Sequence, residues 1–279
     1  MRSMKPDKDV LVSTIRIPTA DGSIPALVLS PKGSAQNAAG ILWIHGGGYI
    51  TGMKEMVHMS RAVDLVKRFG AVVVSPGYRL AILRPFPAAA EDCYSALVYL
   101  KGHAQELGIR RDQIMVGGER AGGGLCAAVC LMARDRKSVN VAFQMPLYPM
   151  LDDRDTKSSR DNHGKVWNTW KNHLAWKLYL HGTPKAQVSP YAAPARAQDF
   201  SGLPPAYTFV GDGEPFYTET LCYIENLNRA GTPAKVDVYH TDIHAFDIMQ
   251  PELEISRIAA EKFNQIFAYA KKHYFAENL

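Results

Sequence analysis

Hydrophobic positions along this chain follow two periods that take turns. Residues 10–17 and 24–29 alternate and are rich in β-branched side chains, and the turn pair Asp21-Gly22 lies between them, which predicts a hairpin. Residues 40–44 (GILWI) and 71–75 (AVVVS) are short, continuously apolar runs, as strands buried on both faces require. Further strands are predicted at 114–116, 141–147, 207–210 and 234–239. Helical spacing separates them, at 56–69, 121–133, 214–230, 252–273 and 87–107; in the last, Ala90, Cys93, Ala96, Leu97 and Leu100 share one face. This alternation predicts an α/β fold: a mostly parallel, eight-stranded sheet with helices on both faces and an antiparallel edge made by the opening hairpin.

Residues 152–203 break the rhythm. They are polar and aromatic, with Trp167, Trp170, Trp176, Tyr179 and Tyr191, and hold helix-like pieces but no strong strand. Such an insertion reads as an active-site lid or as a surface excursion with structural aromatics. The lid is favoured, because aromatics above a site line a substrate pocket. The expected organisation is a core domain of residues 1–151 and 204–279 and a small helical cap of residues 152–203.

Composition adds exclusions. A chain of 279 residues, 47% hydrophobic and 21% charged, fits a globular α/β domain with a small insertion. Its net charge of +5 is dispersed, with no aromatic-interleaved basic stretch, so no nucleic-acid partner is expected. No run approaches the roughly 20 apolar residues of a membrane span, and the first ten residues, MRSMKPDKDV, lack the apolar core of a signal peptide. Cys93, Cys126, Cys130 and Cys222 have no metal-type spacing and are expected to be buried, reduced thiols. These features together predict a cytoplasmic protein without a membrane span.

Four signals carry chemistry. His45-Gly46-Gly47-Gly48 follows the strand GILWI; this composition would produce it by chance about 0.004 times. Glycines let backbone N–H groups approach a substrate oxygen and stabilise the charge that develops on it. Gly117-Gly118-Glu119-Arg120-Ala121-Gly122 lies between a strand and a helix, the setting of a nucleophile elbow G-x-S-x-G, but with Arg120 at its centre. The Gly-Lys-Ser/Thr ending of a phosphate-binding loop is absent. Glu214 and His244 each stand just past a predicted strand, where sites collect in open α/β sheets, and the order elbow, acid, histidine is that of α/β hydrolases.

With LWIHGGGY, YRLA, FPAAAEDCYSAL, LYPMLDDR, SPYAAPARA, DFSGLPPAY and the HAF run, the chain resembles the hormone-sensitive-lipase-like (family IV) esterases of the α/β-hydrolase superfamily, from about residue 10 to about residue 274. The resemblance implies a carboxylic-ester hydrolase scaffold for short-chain or small aromatic esters, with no metal or organic cofactor. It implies Glu214 as catalytic acid, His244 as general base, oxyanion N–H groups from Gly46, Gly47 and Ala121, a cap at residues 152–203 with a short N-terminal piece, and a homodimer through the sheet edge and last helix. Where the family has a D-Y-R-L-A-P-E run, this chain reads Gly77-Tyr78-Arg79-Leu80-Ala81-Ile82-Leu83, so its local ion pairs are expected to differ.

Arg120 stands where the resemblance puts the catalytic serine. A guanidinium stays protonated and has no lone pair with which to attack, so hydrolysis by the serine route is expected to be strongly impaired. Arg120 is expected to cross the pocket mouth or to pair with Glu214 or Glu119, and its charge to lower the pKa of His244. Three readings stay open: an esterase that lost its nucleophile, a non-catalytic pseudo-hydrolase that binds a small molecule, and an anion clamp with new chemistry.

Overall fold

The computed structural model describes residues 1–33 and 35–278. Eight strands form one sheet in the order β1-β2-β4-β3-β5-β6-β7-β8. They are β1 (Val10–Thr19), β2 (Gly22–Pro31), β3 (Ala38–Ile44), β4 (Val72–Pro76), β5 (Ile109–Glu119), β6 (Phe143–Leu147), β7 (Ala206–Gly211) and β8 (Ala234–Tyr239). The first two form the expected hairpin, closing at Thr19 and Gly22, and β2 runs antiparallel to β4. Every later pairing is parallel.

The pleat divides the core. In β3, Leu42 and Ile44 join one apolar cluster while Ile41 and Trp43 join the other, and all seven of the strand's residues are buried. This is why the run reads as continuously apolar instead of alternating. One cluster lies under α2 (Ala88–Gly102), α3 (Ala121–Arg136), α4 (Thr169–Tyr179) and α5 (Tyr217–Arg229); the other lies under α1 (Ala62–Phe69), α6 (Phe246–Met249) and α7 (Glu254–His273). Among the described residues no helix is long and apolar enough to cross a membrane.

Several boundaries move for local reasons. The helix expected at 56–69 is a 3-10 turn, Lys54–Met59, followed by α1. Ser60 separates them: its N–H closes on Val57 O (3.1 Å) and its Oγ accepts from Ala62 N–H (3.0 Å). The helix expected to reach residue 107 ends at Gly102, and β5 starts five residues before 114, across an irregularity in its pairing with β3. Residues 152–203 hold α4, capped by Asn168 Oδ1 on Lys171 N–H (3.0 Å), and two 3-10 turns, with no strand.

The thiol expectation holds for Cys93, Cys126 and Cys130, which are buried and unbridged; Cys222 is free but exposed, because it faces outward on α5. In the loop after β4, Arg79 makes its ion pairs with residues outside its own run. It holds buried Asp92 of α2 through Nη2 (2.8 Å) and reaches Asp21 of the hairpin turn through Nη1 (2.6 Å), and its N–H donates to Asp92 Oδ2 (2.9 Å). Removing the carboxylate leaves a partly buried guanidinium and an amide without an acceptor. Asp92→Ala is therefore expected to lower unfolding stability by about 3 kcal/mol, read as a shift of the urea midpoint at unchanged slope.

Candidate active site

The turn at Arg120 is held by close approaches of backbone. Residue 120 joins β5 directly to α3 at φ 59°, ψ −123°, a conformation that costs a non-glycine residue about 1–3 kcal/mol. Its amide donates to Leu147 O (3.1 Å), and its carbonyl accepts from Gly124 N–H and Met150 N–H (3.0 Å each). The flanking glycines have no room for a side chain: a β-carbon on Gly118 would lie 2.4 Å from Gly122 O, and one on Gly122 would lie 2.1 Å from Ile44 O. The elbow pattern in the sequence is thus met by a real elbow, seated on the end of β3.

The HGGG run lies beside it. A β-carbon on Gly46 would stand 3.0 Å from Arg120 Cδ and 3.2 Å from Arg120 Cβ, so the arginine stem crosses the first glycine. Gly47, at φ 120°, would place a β-carbon 2.0 Å from Thr51 O. The buried His45 ring stacks on Tyr78 at 4.2 Å, and burial pushes its pKa down to about 4. The neutral ring therefore turns its Nδ1–H to Gly46 O (2.7 Å), while Tyr78 OH donates to His45 O (3.0 Å). Among the described residues, the amides of Gly46, Gly47 and Ala121 donate none of the backbone hydrogen bonds outside helices and strands. Ala121 opens α3, where an N–H has no intrahelical acceptor.

Glu214 and His244 come from the loops after β7 and β8 and meet. Both are buried, and His244 Nδ1–H donates to Glu214 Oε2. The other carboxylate oxygen accepts from Gly211 N–H (3.1 Å). The imidazole is held between Phe216 and Tyr148, whose rings stand edge-on at 5.0 and 5.6 Å. Its Nε2 is buried and has no hydrogen-bond partner among the described residues. Burial is the largest cause of a lowered His244 pKa; Glu214 opposes it, and the Arg120 charge adds to it, as the sequence leads one to expect.

The expected ion pair of Arg120 does not form. Both oxygens of Glu214 are engaged by His244 and Gly211. Glu119, one residue before Arg120, projects to the opposite face, where its Oε2 accepts from Trp43 Nε1–H (2.9 Å). Burial there raises its carboxyl pKa to about 7. Alternation at the strand end is the reason: neighbouring side chains leave on opposite sides. Arg120 is half-buried, and its Nε is buried without a partner.

Residues 152–203 reach over this region. Trp167 leans on the HGGG loop, 2.4 Å from where a β-carbon on Gly48 would sit, and stands 6.3 Å from Phe216. Ser158 and Asn162 grip the Glu214 turn through Pro215 O (2.8 Å) and Gly213 O (3.1 Å). Trp176 and Tyr179 pack on Tyr49, whose OH donates to Met150 O (2.8 Å).

Sequence reasoning missed the support below. Tyr148 OH donates to Asp247 Oδ1 (2.9 Å), and Arg61 pairs with Asp247 Oδ2 (3.0 Å), all buried. Asp247 follows the HAF run and was visible; Arg61, a lone cation before a helix, gave no signal.

The family described by the alpha/beta hydrolase fold matches residues 41–248. The esterase LipI of Mycobacterium tuberculosis is 32% identical over 213 residues, covering 74% of this chain and 65% of LipI. The carboxylic ester hydrolase LipN of the same organism is 32% identical over 248 residues, covering 86% of this chain and 65% of LipN. The match thus spans just under two thirds of each of these relatives. The solved Pyrobaculum calidifontis esterase superposes with a TM-score of 0.84 at 34% identity, covering 94% of this chain and 85% of that one. The chain belongs to the α/β-hydrolase fold family, in its hormone-sensitive-lipase-like esterase branch.

Replacing Arg120 by Gln removes a charge that disfavours the imidazolium. The pKa of His244 is expected to rise in Arg120→Gln, followed by NMR titration of the ring carbon-bound proton; an unchanged value would place the guanidinium too far away to act.

Proposed function

We propose that the chain is a carboxylic-ester hydrolase scaffold for small esters, strongly impaired because Arg120 holds the position of the nucleophile. The observation that carries this reading is the convergence of four separate loops: the positive-φ elbow at 120, the two that carry the buried Glu214–His244 pair, and the glycine run at 46–48. In the proposed machinery, Glu214 orients His244, His244 Nε2 is the base, and the amides of Gly46, Gly47 and Ala121 hold the oxyanion. Residues 152–203 act as the cap over the acyl pocket, supported by the Trp167 and Ser158 contacts. The esterase relatives support the reaction class. Four unbridged thiols fit a reducing compartment, and we place the protein in the cytoplasm on that ground.

On this reading the chain lacks only the attacking atom. A serine at 120 would supply a hydroxyl facing a base already oriented by its carboxylate. Arg120→Ser is therefore expected to raise hydrolysis of p-nitrophenyl acetate and butyrate by about 10³-fold or more over the unsubstituted chain, given that loss of such a nucleophile costs about 10⁶ in turnover. His244→Ala in that background is expected to remove the gain. Full activity of the unsubstituted chain, or a folded Arg120→Ser with none, would count against the proposal.

A further inference from the structure

We propose that the site around Arg120 binds the carboxylate of a small apolar acid, held by the guanidinium with the amides of Gly46, Gly47 and Ala121. This rests on the preceding reading that these groups share one pocket.

Several other arginines are neutralised from within the chain. Arg61 is paired with Asp247, Arg79 with Asp92, Arg154 with Asp152 and Arg196 with Asp153. Arg120 is different: no salt bridge joins it to another described residue, and its buried Nε–H has no acceptor. A buried donor left unpaired costs about 1–3 kcal/mol, so such groups call for an acceptor. The residue is nonetheless only partly buried, so an acceptor can arrive from solvent.

A second buried atom without a partner belongs to His244. His244 is 2% exposed, and its Nε2 points away from Glu214 without a partner. With Nδ1–H given to Glu214, neutral Nε2 is an acceptor. A carboxylic acid can satisfy both atoms in one step. Its O–H proton passes to Nε2, leaving a carboxylate between imidazolium and guanidinium, with no other bond made or broken. The charged groups acting on that imidazole are Glu214 and Asp247, which favour the proton, and Arg120, which opposes it until the anion is present. Tyr148 also faces the ring, with its hydroxyl given to Asp247.

Shape and charge choose the ligand class. A guanidinium fork matches a planar carboxylate. Trp167 and Phe216 supply apolar walls for its tail. Buried Glu214 holds the His244 ring and buried Glu119 lies within reach of the Arg120 charge, so a dianion such as phosphate meets more repulsion than one guanidinium offsets.

The test is calorimetric titration of the full chain with sodium butyrate and benzoate, against butyramide and inorganic phosphate, repeated on Arg120→Gln and Arg120→Lys, with circular dichroism confirming that each is folded. The expected result is saturable binding of the two carboxylates, with butyramide and phosphate at least tenfold weaker. Arg120→Gln should bind butyrate about 10- to 100-fold more weakly, the scale of a charge-assisted hydrogen bond, and Arg120→Lys should fall between. No butyrate binding by the unsubstituted chain, equal affinity for butyramide or phosphate, or unchanged affinity in Arg120→Gln overturns the carboxylate site. The esterase activity of Arg120→Ser keeps the two readings apart. Recovery of hydrolysis with no butyrate binding by the unsubstituted chain sinks the carboxylate site and leaves the scaffold reading standing. Arg120-dependent butyrate binding with no recovery does the reverse.

Discussion

The carbonyl oxygens at the end of β3 lie against the first turn of α3, and everything at the site depends on that contact. A β-carbon on Gly122 would fall 2.1 Å from Ile44 O and 2.5 Å from His45 O, well inside van der Waals contact. Because the helix sits this close, the chain must leave β5 and enter α3 through a single residue. That residue is forced to positive φ, and its side chain is thrown clear of the sheet. The same contact sets the glycine run after β3 beside the side chain of residue 120. The elbow, the HGGG loop and the N-terminus of α3 are therefore one mechanical unit.

Placing an arginine on that unit changes its electrostatics more than its shape. The turn keeps its hydrogen bonds through Leu147, Gly124 and Met150, all made by backbone atoms indifferent to the side chain. The charge, by contrast, acts on His244, Glu119 and Tyr148 together. It opposes protonation of the imidazole and favours ionisation of Glu119, whose carboxyl burial nonetheless pushes up to about 7. A cation here is compatible with folding because the residue stays partly exposed, where water still screens it.

A second layer fixes the imidazole. Phe216 and Tyr148 limit its rotation, Glu214 sets its tautomer, and the Tyr148–Asp247–Arg61 chain ties the underside to α1. Residues 152–203 grip the same acid turn from above through Ser158 and Asn162. The pair is thus over-determined from both sides, which is the condition for a buried polar pair to hold one geometry.

The sequence by itself determined the sheet, its two helical layers, the hairpin edge and the positions of 46–48, 120, 214 and 244, because these rest on period, glycine spacing and strand ends, all local properties. Helix ends at 59–62 and 102 escaped it, since Ser60 acts as a divider only once its hydroxyl finds Ala62 N–H. Only the tertiary structure decided where the charges went. Glu119 looked like a partner for Arg120 because they are neighbours in the chain, yet strand alternation sends it to Trp43 on the far face. Arg79 found Asp92 and Asp21, thirteen and fifty-eight residues away, and Arg61 found Asp247 across 186. Pairing of buried charges is settled by which elements pack together, and that information is distributed over the whole chain.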